Sequence, residues 1–524
     1  MTAKLSDTIY CLRFFCAGAY TEEVKQQLTV FGNLISEKAV RRATRLFSSY
    51  AARFNYNADW IPILEADRMP GAWEQFGVRQ LVDRETDRLS PHNRADVAPG
   101  KNSNAILIGT IRMGFGHYRI ALAIASAARS MGLDPYWLDF LSFPGSAASR
   151  VIEYLNGLYS FGSRLSQRVP LFDRVVWERI TSEIALKLEY CARDRELSRL
   201  YAPLFGNLDR SLPFLSTHPW TGQAAIHAGM HNVVTVVPDN YPLAFHLVEG
   251  SIHAVQTPSN YFGYRTLRNM GSRDQGMLTS MPESDVQYTG HFVDHEIVSN
   301  IDADCGRRLL RLREGSPRRF LLTIGGAGAQ LKRFYEIIRF CRGAIESDRL
   351  AMMVNLGDHQ PQWLSLKAEL EAVKIPYTLH SEWSETRQFA GDAIDGPMHG
   401  LHIFLHDDIF AAVYTTNLLM RVADLLITKP SELSFYPVPK LFIQRVGQHE
   451  AWGAIRGAEL GDGTLETDSL KSLQQTLTVI LNDTDLLEMY CTSIMQNNKI
   501  GTYDGAYRAV MLARTKASEG RQRE

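Results

Sequence analysis

The segment AILIGTIRMGFGHYRIALAIASAA, residues 105–128, decides the fold. It begins with a short apolar run, 105–110, and from Tyr118 onward its apolar residues recur at helical spacing. Gly114 and Gly116 separate the two parts. A buried strand, a glycine-containing turn and an amphipathic helix in this order predict the first βα unit of a parallel sheet.

The same arrangement occurs a second time in FLLTIGGAGAQLKRFYEII, residues 320–338. Short apolar runs follow each unit, with enough chain between them for helices. The strands expected after the first unit are 134–140, 212–217, 232–237, 253–258 and 285–290, and after the second 351–357, 376–380, 401–406, 424–428 and 440–444. Strands that alternate with helices predict an α/β protein of two consecutive, doubly wound, Rossmann-like domains.

The chain accordingly divides into four segments. Residues 1–103 are expected to form a mostly helical extension that ends in a polar linker with Pro and Gly. The two α/β domains are assigned to 104–300 and 301–465, and helices without further strands are expected over 466–524. An Arg-rich segment, 307–319, is expected to carry the interdomain hinge.

Composition narrows the class of function. The 524 residues include 56 Lys and Arg against 57 Asp and Glu, so no basic field attracts nucleic acid, and a nucleic-acid partner is disfavoured. No signal peptide is recognisable, and nowhere do about 18 apolar residues run together as a membrane-spanning helix requires. The cysteines are scattered, without zinc-site spacing, which suits free thiols in a reducing cytoplasm: Cys11, Cys16, Cys191, Cys305, Cys341 and Cys491.

The first glycine turn is a candidate site. At Gly114 and Gly116 a ligand can approach backbone N–H groups unobstructed by Cβ, and the following helix N-terminus favours negative charge. His117 opens that helix and would face the cleft beyond the strand ends, where an imidazole is suited to taking a proton from a hydroxyl. A tight turn with a helix-capping histidine explains the same residues, and both interpretations stay open.

The second glycine turn, with Gly325, Gly326 and Gly328, is suited to a pyrophosphate. Its backbone amides and the helix dipole would hold the anion without metal. No GK[ST] follows, so the turn is not a Walker loop. Lys332 and Arg333, one turn into the helix, either add positive charge towards a leaving diphosphate or are simply solvated.

These segments resemble glycosyltransferases of the GT-B fold, in particular the monogalactosyldiacylglycerol synthase and MurG-like group. GFGHYRIALAIASAA is similar to the GGGH opening of that group, in which the histidine lies in the acceptor-side cleft, so the resemblance makes His117 the candidate base. LSTHPW, with His218, and VVPDNYPLAFH, with Asp239 and His246, are similar to later acceptor-side segments. The similarity extends in the same order over residues 104–463.

The donor half resembles the group less closely. DLLITKPSEL and QRVGQHEAWGA correspond to donor-site motifs, which makes candidates of Lys429, Ser431, Glu432, Gln448 and Glu450. Ser431 and Glu432 stand where the group has a glycine pair, and the usual ribose-binding Glu has no clear counterpart. Glu432 is the candidate substitute, because a carboxylate can accept both ribose hydroxyls. The Asn expected after Glu450 is also replaced, in the segment 452–454.

The resemblance implies an inverting, metal-independent transfer of a sugar from a nucleotide-sugar, with a UDP-sugar as co-substrate and no further cofactor. His117, assisted by Asp239, would deprotonate a hydroxyl acceptor, with a lipid as one candidate. We interpret Asp407 and Asp408 as a strand-end cap and not as an Asp-x-Asp metal site. Two other functions are compatible with the sequence: a nucleotide-sugar epimerase, and a former transferase kept as a binding protein.

Two helical segments bear on membrane contact. The Arg-rich helix at 37–54 would lie either on an anionic membrane surface or against the protein body. The aromatic-rich stretch 140–177 lies where the resembled enzymes meet lipid acceptors, but an ordinary helical insertion explains it equally well. The expected location is the cytoplasm, with peripheral contact at the inner face of the membrane as an option.

Overall fold

The computed structural model describes residues 29–69, 71–84, 99–112, 114–168, 185–272, 275–325, 328, 330–445, 447 and 450–523. Within them the chain forms two Rossmann-like α/β domains, each built on one sheet, which is the GT-B arrangement. The fold class predicted from the two glycine-containing βα units is therefore confirmed.

The first domain is built on an eight-stranded sheet, preceded by a small antiparallel hairpin of β1 (Thr29–Val30) and β2 (Asn33–Leu34). The strands of the sheet are β3 (Leu64–Arg68), β4 (Arg79–Asp83), β5 (Ala105–Thr110), β6 (Asp134–Asp139), β7 (Phe214–Ser216), β8 (Val233–Val236), β9 (Ile252–Val255) and β10 (Val286–Tyr288). Their order across the sheet is β10-β9-β8-β7-β5-β6-β4-β3. All pairs are parallel except β3 with β4.

The second domain is built on a six-stranded, all-parallel sheet. Its strands are β11 (Arg318–Thr323), β12 (Leu350–Asn355), β13 (Thr378–His380), β14 (Leu401–Phe404), β15 (Leu425–Thr428) and β16 (Lys440–Phe442). Their order is β13-β14-β12-β11-β15-β16. Every strand expected from the apolar runs in both domains is present, with ends that differ from the expected bounds by at most a few residues.

Helices cover the sheets. Those before the second sheet are α1 (Glu37–Arg53), α2 (Gly116–Ser130), α3 (Ala147–Arg168), α4 (Glu189–Ser198), α5 (Pro219–His227), α6 (Pro258–Arg265), α7 (His295–Val298) and α8 (Ile301–Arg313). Those that follow are α9 (Leu331–Glu346), α10 (Gln360–Ala372), α11 (Trp383–Asp395), α12 (Ile409–Val422), α13 (Ala451–Leu460), α14 (Leu470–Asn482), α15 (Asp485–Lys499) and α16 (Gly505–Arg523). Across the described part of the chain, none of these helices is long and apolar enough to cross a membrane.

Strand β5 shows why an unbroken apolar run forms a central strand. Ile106 and Ile108 belong to the core on the side of α2, whereas Ala105 and Leu107 belong to the core on the opposite face. Alternate side chains of a strand point to opposite faces, so a strand covered by helices on both sides must be apolar throughout.

In the segment expected to be a mostly helical extension, residues 1–103, the described part also contains strands. Strands β3 and β4 lie in this segment and extend the first sheet at one edge. Their sequences, LEADR and RQLVD, contain several charged residues and so lack the apolar run by which the other strands are recognised. Helix α1 forms as expected and packs Phe47 and Tyr50 against the core of the first domain. These contacts support its packing on the protein body.

The hinge expected at 307–319 was also wrong, because that segment is part of the second domain. It forms the end of α8 and the start of β11. Arg308 is buried and donates from Nε to the carbonyl of Ala423 at 2.8 Å. Arg311 forms a buried ion pair with Asp424 at 2.6 Å. Arginines fixed by buried partners leave no freedom for a hinge.

Candidate functional site

The loops at the carboxyl ends of the strands of the two sheets meet across the cleft. Arg112, in the loop after β5, forms an ion pair with Asp358, in the loop after β12. In the neighbouring loop, Asn240 donates to the carbonyl of Trp452 at 3.0 Å. The carboxyl ends of the strands are where ligands bind in open α/β sheets, so this is the candidate site.

The first glycine loop brings His117 to the cleft. Gly114 has a φ of +84°, a conformation that favours glycine, and α2 begins at Gly116. The imidazole Nδ1 of His117 lies 2.6 Å from the carbonyl oxygen of Thr217. Because a carbonyl only accepts, Nδ1 carries the proton, and in the neutral ring Nε2 keeps its lone pair. The neutral ring therefore has a basic nitrogen.

The four side chains predicted for the base and the acceptor side, those of His117, His218, Asp239 and His246, lie together. The rings of His117 and His218 are 4.6 Å apart between centroids. Asp239 lies beside this pair, with Oδ2 at 3.5 Å from Nε2 of His246. His218 also caps α5, since its Nδ1 accepts from the backbone N–H of Trp220 at 3.3 Å. The prediction brought together residues from the ends of three neighbouring strands, β5, β7 and β8.

Burial keeps these imidazoles neutral. It lowers the pKa of His117, while the carbonyl of Thr217 and the charges of Asp239 and Glu432 oppose that shift. Burial also lowers the pKa of His218 well below its ordinary value, and the two neighbouring imidazoles add to the shift. At neutral pH His117 is thus unprotonated at Nε2 and able to accept a proton.

Glu432 comes from the second domain but reaches the first. It lies in a short 3-10 helix, Glu432–Phe435, whose N-cap is Ser431. A Cβ on Gly116 would lie only 3.4 Å from Oε2 of Glu432, and Oε1 lies 3.8 Å from Nε of Arg119. The prediction placed Glu432 at the donor ribose, whereas its contacts in the structure are with the start of α2, next to His117.

The second glycine loop connects β11 to α9. Gly328 has a φ of +67° and donates its N–H to the carbonyl of Gly325 at 2.8 Å. A Cβ on Gly325 would lie 2.9 Å from Cε of Lys429, so the lysine side chain passes directly over the loop. Glu450 pairs with Lys429 and accepts from the N–H of Gly447 at 3.3 Å. Four of the predicted donor-site residues therefore form one group.

Two further residues support this loop and were missed in the sequence. His359, in the loop before α10, donates from Nε2 to the carbonyl of Gly325 at 3.1 Å. Gln362, in α10, donates to the carbonyl of Gly328 at 3.3 Å. The polar run DHQPQ after β12 was the available signal, because it follows a strand end as the glycine loops do. Phe115 packs against His359 from the first domain, with ring centroids 5.5 Å apart.

The remaining predicted residues have mixed outcomes. Arg333 forms an ion pair with Glu336 of its own helix at 3.0 Å, which favours the solvated interpretation. Asp408 caps α12 by accepting from the N–H of Ala411 at 2.8 Å, as the strand-end interpretation expects. Gly326 and Gln448 lie outside the described residues.

Together these groups place the unprotonated Nε2 of His117 on one side of the cleft and a glycine loop with a lysine over it on the other. The loop at Gly325 and Gly328, the N-terminus of α9 and the Lys429 ammonium are groups of the kind that bind anions in other proteins. Proton removal and stabilisation of a leaving anion are the two tasks of a displacement at a carbon that carries a phosphate.

Comparisons with known proteins give two family matches and a set of similar folds. Residues 29–266 match the family model described as a domain of unknown function (DUF6937). Residues 281–514 match the model described as a domain of unknown function (DUF6938). A search of curated proteins finds no match to this sequence.

Among solved structures, the chain is similar to a UDP-GlcNAc 2-epimerase from Neisseria meningitidis bound to UDP-GlcNAc, with 12% identity, 78% of this chain and 99% of the other covered, and a TM-score of 0.41. It is also similar to a glycosyltransferase from Rickettsia africae, with 10% identity, 79% and 99% covered, and a TM-score of 0.39. A trehalose 6-phosphate synthase from Burkholderia multivorans has 11% identity, 64% and 77% covered, and a TM-score of 0.35. TM-scores below 0.5 carry no activity over to this chain.

Proposed function

We propose that this protein is an inverting glycosyltransferase that moves a sugar from a nucleotide-sugar to a hydroxyl acceptor. The observation that carries the proposal is the imidazole of His117, held by the Thr217 carbonyl with Nε2 as the basic nitrogen, across the cleft from the glycine loop and Lys429. A general base and a diphosphate site on facing domains are the two parts that this reaction needs.

In the proposed reaction, Nε2 of His117 accepts the proton of the acceptor hydroxyl. The hydroxyl oxygen forms a bond to the anomeric carbon of the donor sugar, and the bond from that carbon to the phosphate oxygen breaks. The nucleoside diphosphate leaves with the electron pair. Attack from the face opposite the leaving group inverts the configuration at that carbon.

The donor is proposed to be a UDP-sugar, held without metal or other cofactor. The backbone N–H of Gly325 and the N-terminus of α9 would take the diphosphate, and the Lys429 ammonium would balance its charge. Glu450 pairs with Lys429 in the structure. With a donor bound, the Lys429 ammonium would interact with both Glu450 and the diphosphate.

Glu432 is proposed to couple the two domains to the base. Its charge comes from the donor side and raises the pKa of His117 on the acceptor side. His117 is thus a stronger base when the two domains are in contact, as they are where Glu432 approaches Gly116. A lipid acceptor and contact with the inner face of the membrane stay predictions, since only the 140–168 part of the aromatic-rich stretch lies among the described residues.

The first test is nucleotide binding by calorimetry, with a panel of nucleoside diphosphates and nucleotide-sugars. Lys429→Met alone would leave Glu450 buried without its cation, so the informative variant is Lys429→Met with Glu450→Gln, and exposed Lys471→Met is the control. We expect binding of UDP or a UDP-sugar that falls at least tenfold in the double variant and not in the control. Absence of binding by the native chain contradicts the proposal.

The second test separates the reaction from binding. His117→Gln is expected to bind the donor normally and to lose transfer by about 10²–10⁴-fold, the usual contribution of a general base. Incubation of the native protein with donor alone identifies the other two functions. An epimerised sugar indicates an epimerase, and binding without any turnover over an acceptor panel indicates a binding protein.

A further inference from the structure

Arg112 and Asp358 form an ion pair between the two domains, across the cleft. Arg112 lies in the loop after β5, and Asp358 lies in the loop after β12. The side chain of Arg112 is 43% exposed and that of Asp358 is 18% exposed, so solvent and solutes reach the pair. Ion pairs in contact with water contribute little to stability, and an exchange of partners therefore costs little.

The pair lies beside the second glycine loop. His359, the next residue after Asp358, donates from Nε2 to the carbonyl of Gly325 at 3.1 Å. From the first domain, Phe115 follows Arg112 by three residues and packs on the ring of His359, with centroids 5.5 Å apart. Burial lowers the pKa of His359, the charge of Asp358 opposes this shift, and the charge of Arg112 adds to it. Arg112 is therefore a cation of the first domain that lies next to a loop of the second.

Both cations described at this loop have a carboxylate partner. Lys429 pairs with Glu450, and Arg112 pairs with Asp358. A diphosphate carries more negative charge than a carboxylate, and pairs of its oxygens match the planar fork of a guanidinium. A diphosphate at the loop would therefore compete with Asp358 for Arg112.

We propose that Arg112 is a ligand of the donor diphosphate, supplied by the first domain, and that Asp358 competes with the diphosphate for it. This role of Arg112 rests on the proposed function for the position of the diphosphate at the second glycine loop. On binding, the guanidinium exchanges the Asp358 carboxylate for phosphate oxygens. Because Arg112 and His117 belong to the same loop-and-helix segment, the exchange also places the base against the donor.

A purely structural ion pair predicts a different result. If the pair only ties the domains together, removal of either partner loosens the same contact, and both changes affect ligand binding in the same direction. If Asp358 competes with the diphosphate, its removal frees the guanidinium and strengthens binding, whereas removal of Arg112 weakens binding. The direction of the Asp358 effect thus separates a competitor from a tie.

The test is isothermal titration calorimetry of the full chain at low ionic strength, where charge interactions are least screened, with UDP and inorganic pyrophosphate as probes. We expect Asp358→Asn to bind UDP at least threefold more tightly than the native chain, and Arg112→Gln to bind it at least tenfold more weakly. The two effects should have the same directions for pyrophosphate. A gain of affinity in Asp358→Asn cannot come from a loss of structure.

The control is a second ion pair of the first domain, between Arg195 of α4 and Glu249 at 3.1 Å. Glu249 precedes β9, so this pair lies at the amino ends of the strands, opposite the cleft. Arg195→Gln and Glu249→Gln should leave the affinities for both probes unchanged.

Equal or weaker UDP binding by Asp358→Asn, or unchanged binding by Arg112→Gln, overturns the inference and leaves the proposed function in place. If the native chain binds pyrophosphate but not UDP, and both variants change the pyrophosphate affinity in the expected directions, the proposed function is contradicted. Arg112 is then retained as an anion ligand with Asp358 as its competitor. If the native chain binds neither probe, both proposals are overturned.

Discussion

His117 owes its protonation state to three kinds of neighbour. Burial lowers its pKa, the Thr217 carbonyl fixes the proton on Nδ1, and the carboxylates of Asp239 and Glu432 hold the pKa up. The fall of kcat/KM on the acid side of the pH profile, its acid limb, reports the pKa of the base in the free enzyme. The midpoint of this limb should therefore lie below the ordinary histidine pKa of about 6.5.

Glu432→Gln tests this account. Loss of the negative charge removes one of the effects that raise the pKa of His117, so the acid limb of the pH profile should move to lower pH. The measurement is kcat/KM of transfer between pH 4.5 and 8. Glu336→Gln, on the surface of α9, is the control and should leave the limb in place. A limb that moves to higher pH, or not at all, contradicts the placement of Glu432 beside His117.

Asp194 gives a prediction on stability. Burial raises its pKa from 3.8 to about 7, with Arg193 and Trp220 opposing the shift. The folded state thus retains a proton that the unfolded state releases, and the stability of the protein falls as pH rises from about 4 to 7. A shift of about three units corresponds to roughly 4 kcal/mol as an upper bound. The Tm of Asp194→Asn should exceed that of the native chain by a margin that widens between pH 5 and 8.

The control for Asp194 is Asp59→Asn, at an exposed position, whose Tm difference should not change with pH. A constant difference for Asp194→Asn as well would mean that the carboxyl titrates normally in the folded protein.

At the scale of elements, the strands with apolar runs were predictable, and β3 and β4, which lack such runs, were not. β5 and β11 are apolar throughout because helices cover both faces, and such a run is legible in the sequence. β3 and β4 were missed because the pairing of β4 with β6, and of β3 with β4, depends on the sheet and not on a pattern in their own sequences. In the site, His117 was predictable because it follows a glycine turn in the sequence. His359 was not, because its contact with Gly325 joins segments that are distant in the sequence.

Helix α16 illustrates packing that only the fold reveals. It is the last helix of the chain, yet it packs on α2 and the first sheet through a stripe of small residues, Ala506, Ala509, Ala513 and Ala517. Ala509→Leu should insert three extra carbons into a filled contact and destabilise the protein by about 1–3 kcal/mol. Met511→Leu, on the half-exposed side of the same helix, should have little effect. Thermal unfolding of both variants is the measurement, and an unchanged Tm for Ala509→Leu contradicts the close approach of α16 to α2.

At the scale of the whole molecule, the two domains share a core. Phe410 and Tyr414 of α12, in the second domain, pack with Trp73 and Phe76 of the first, and the rings of Trp73 and Phe410 are 4.0 Å apart between centroids. α16, which follows the second domain in the chain, packs on α2 and the first sheet and so connects the two domains a second time. Domains that share buried surface on this scale are expected to unfold together, in one calorimetric transition.

Arg119 connects the two domains through buried hydrogen bonds, and its substitution tests whether the domains unfold together. Its guanidinium is 2% exposed, and Nη1 donates to the carbonyl of Val413 at 3.1 Å and to the side chain of Asn417, both in α12. Arg119→Met keeps the stem but leaves these acceptors and Glu432 without their cation, at a cost of about 3–5 kcal/mol. Differential scanning calorimetry should then resolve two transitions, whereas exposed Arg339→Met should retain one. A single, merely lower transition in Arg119→Met would mean that apolar packing alone couples the domains.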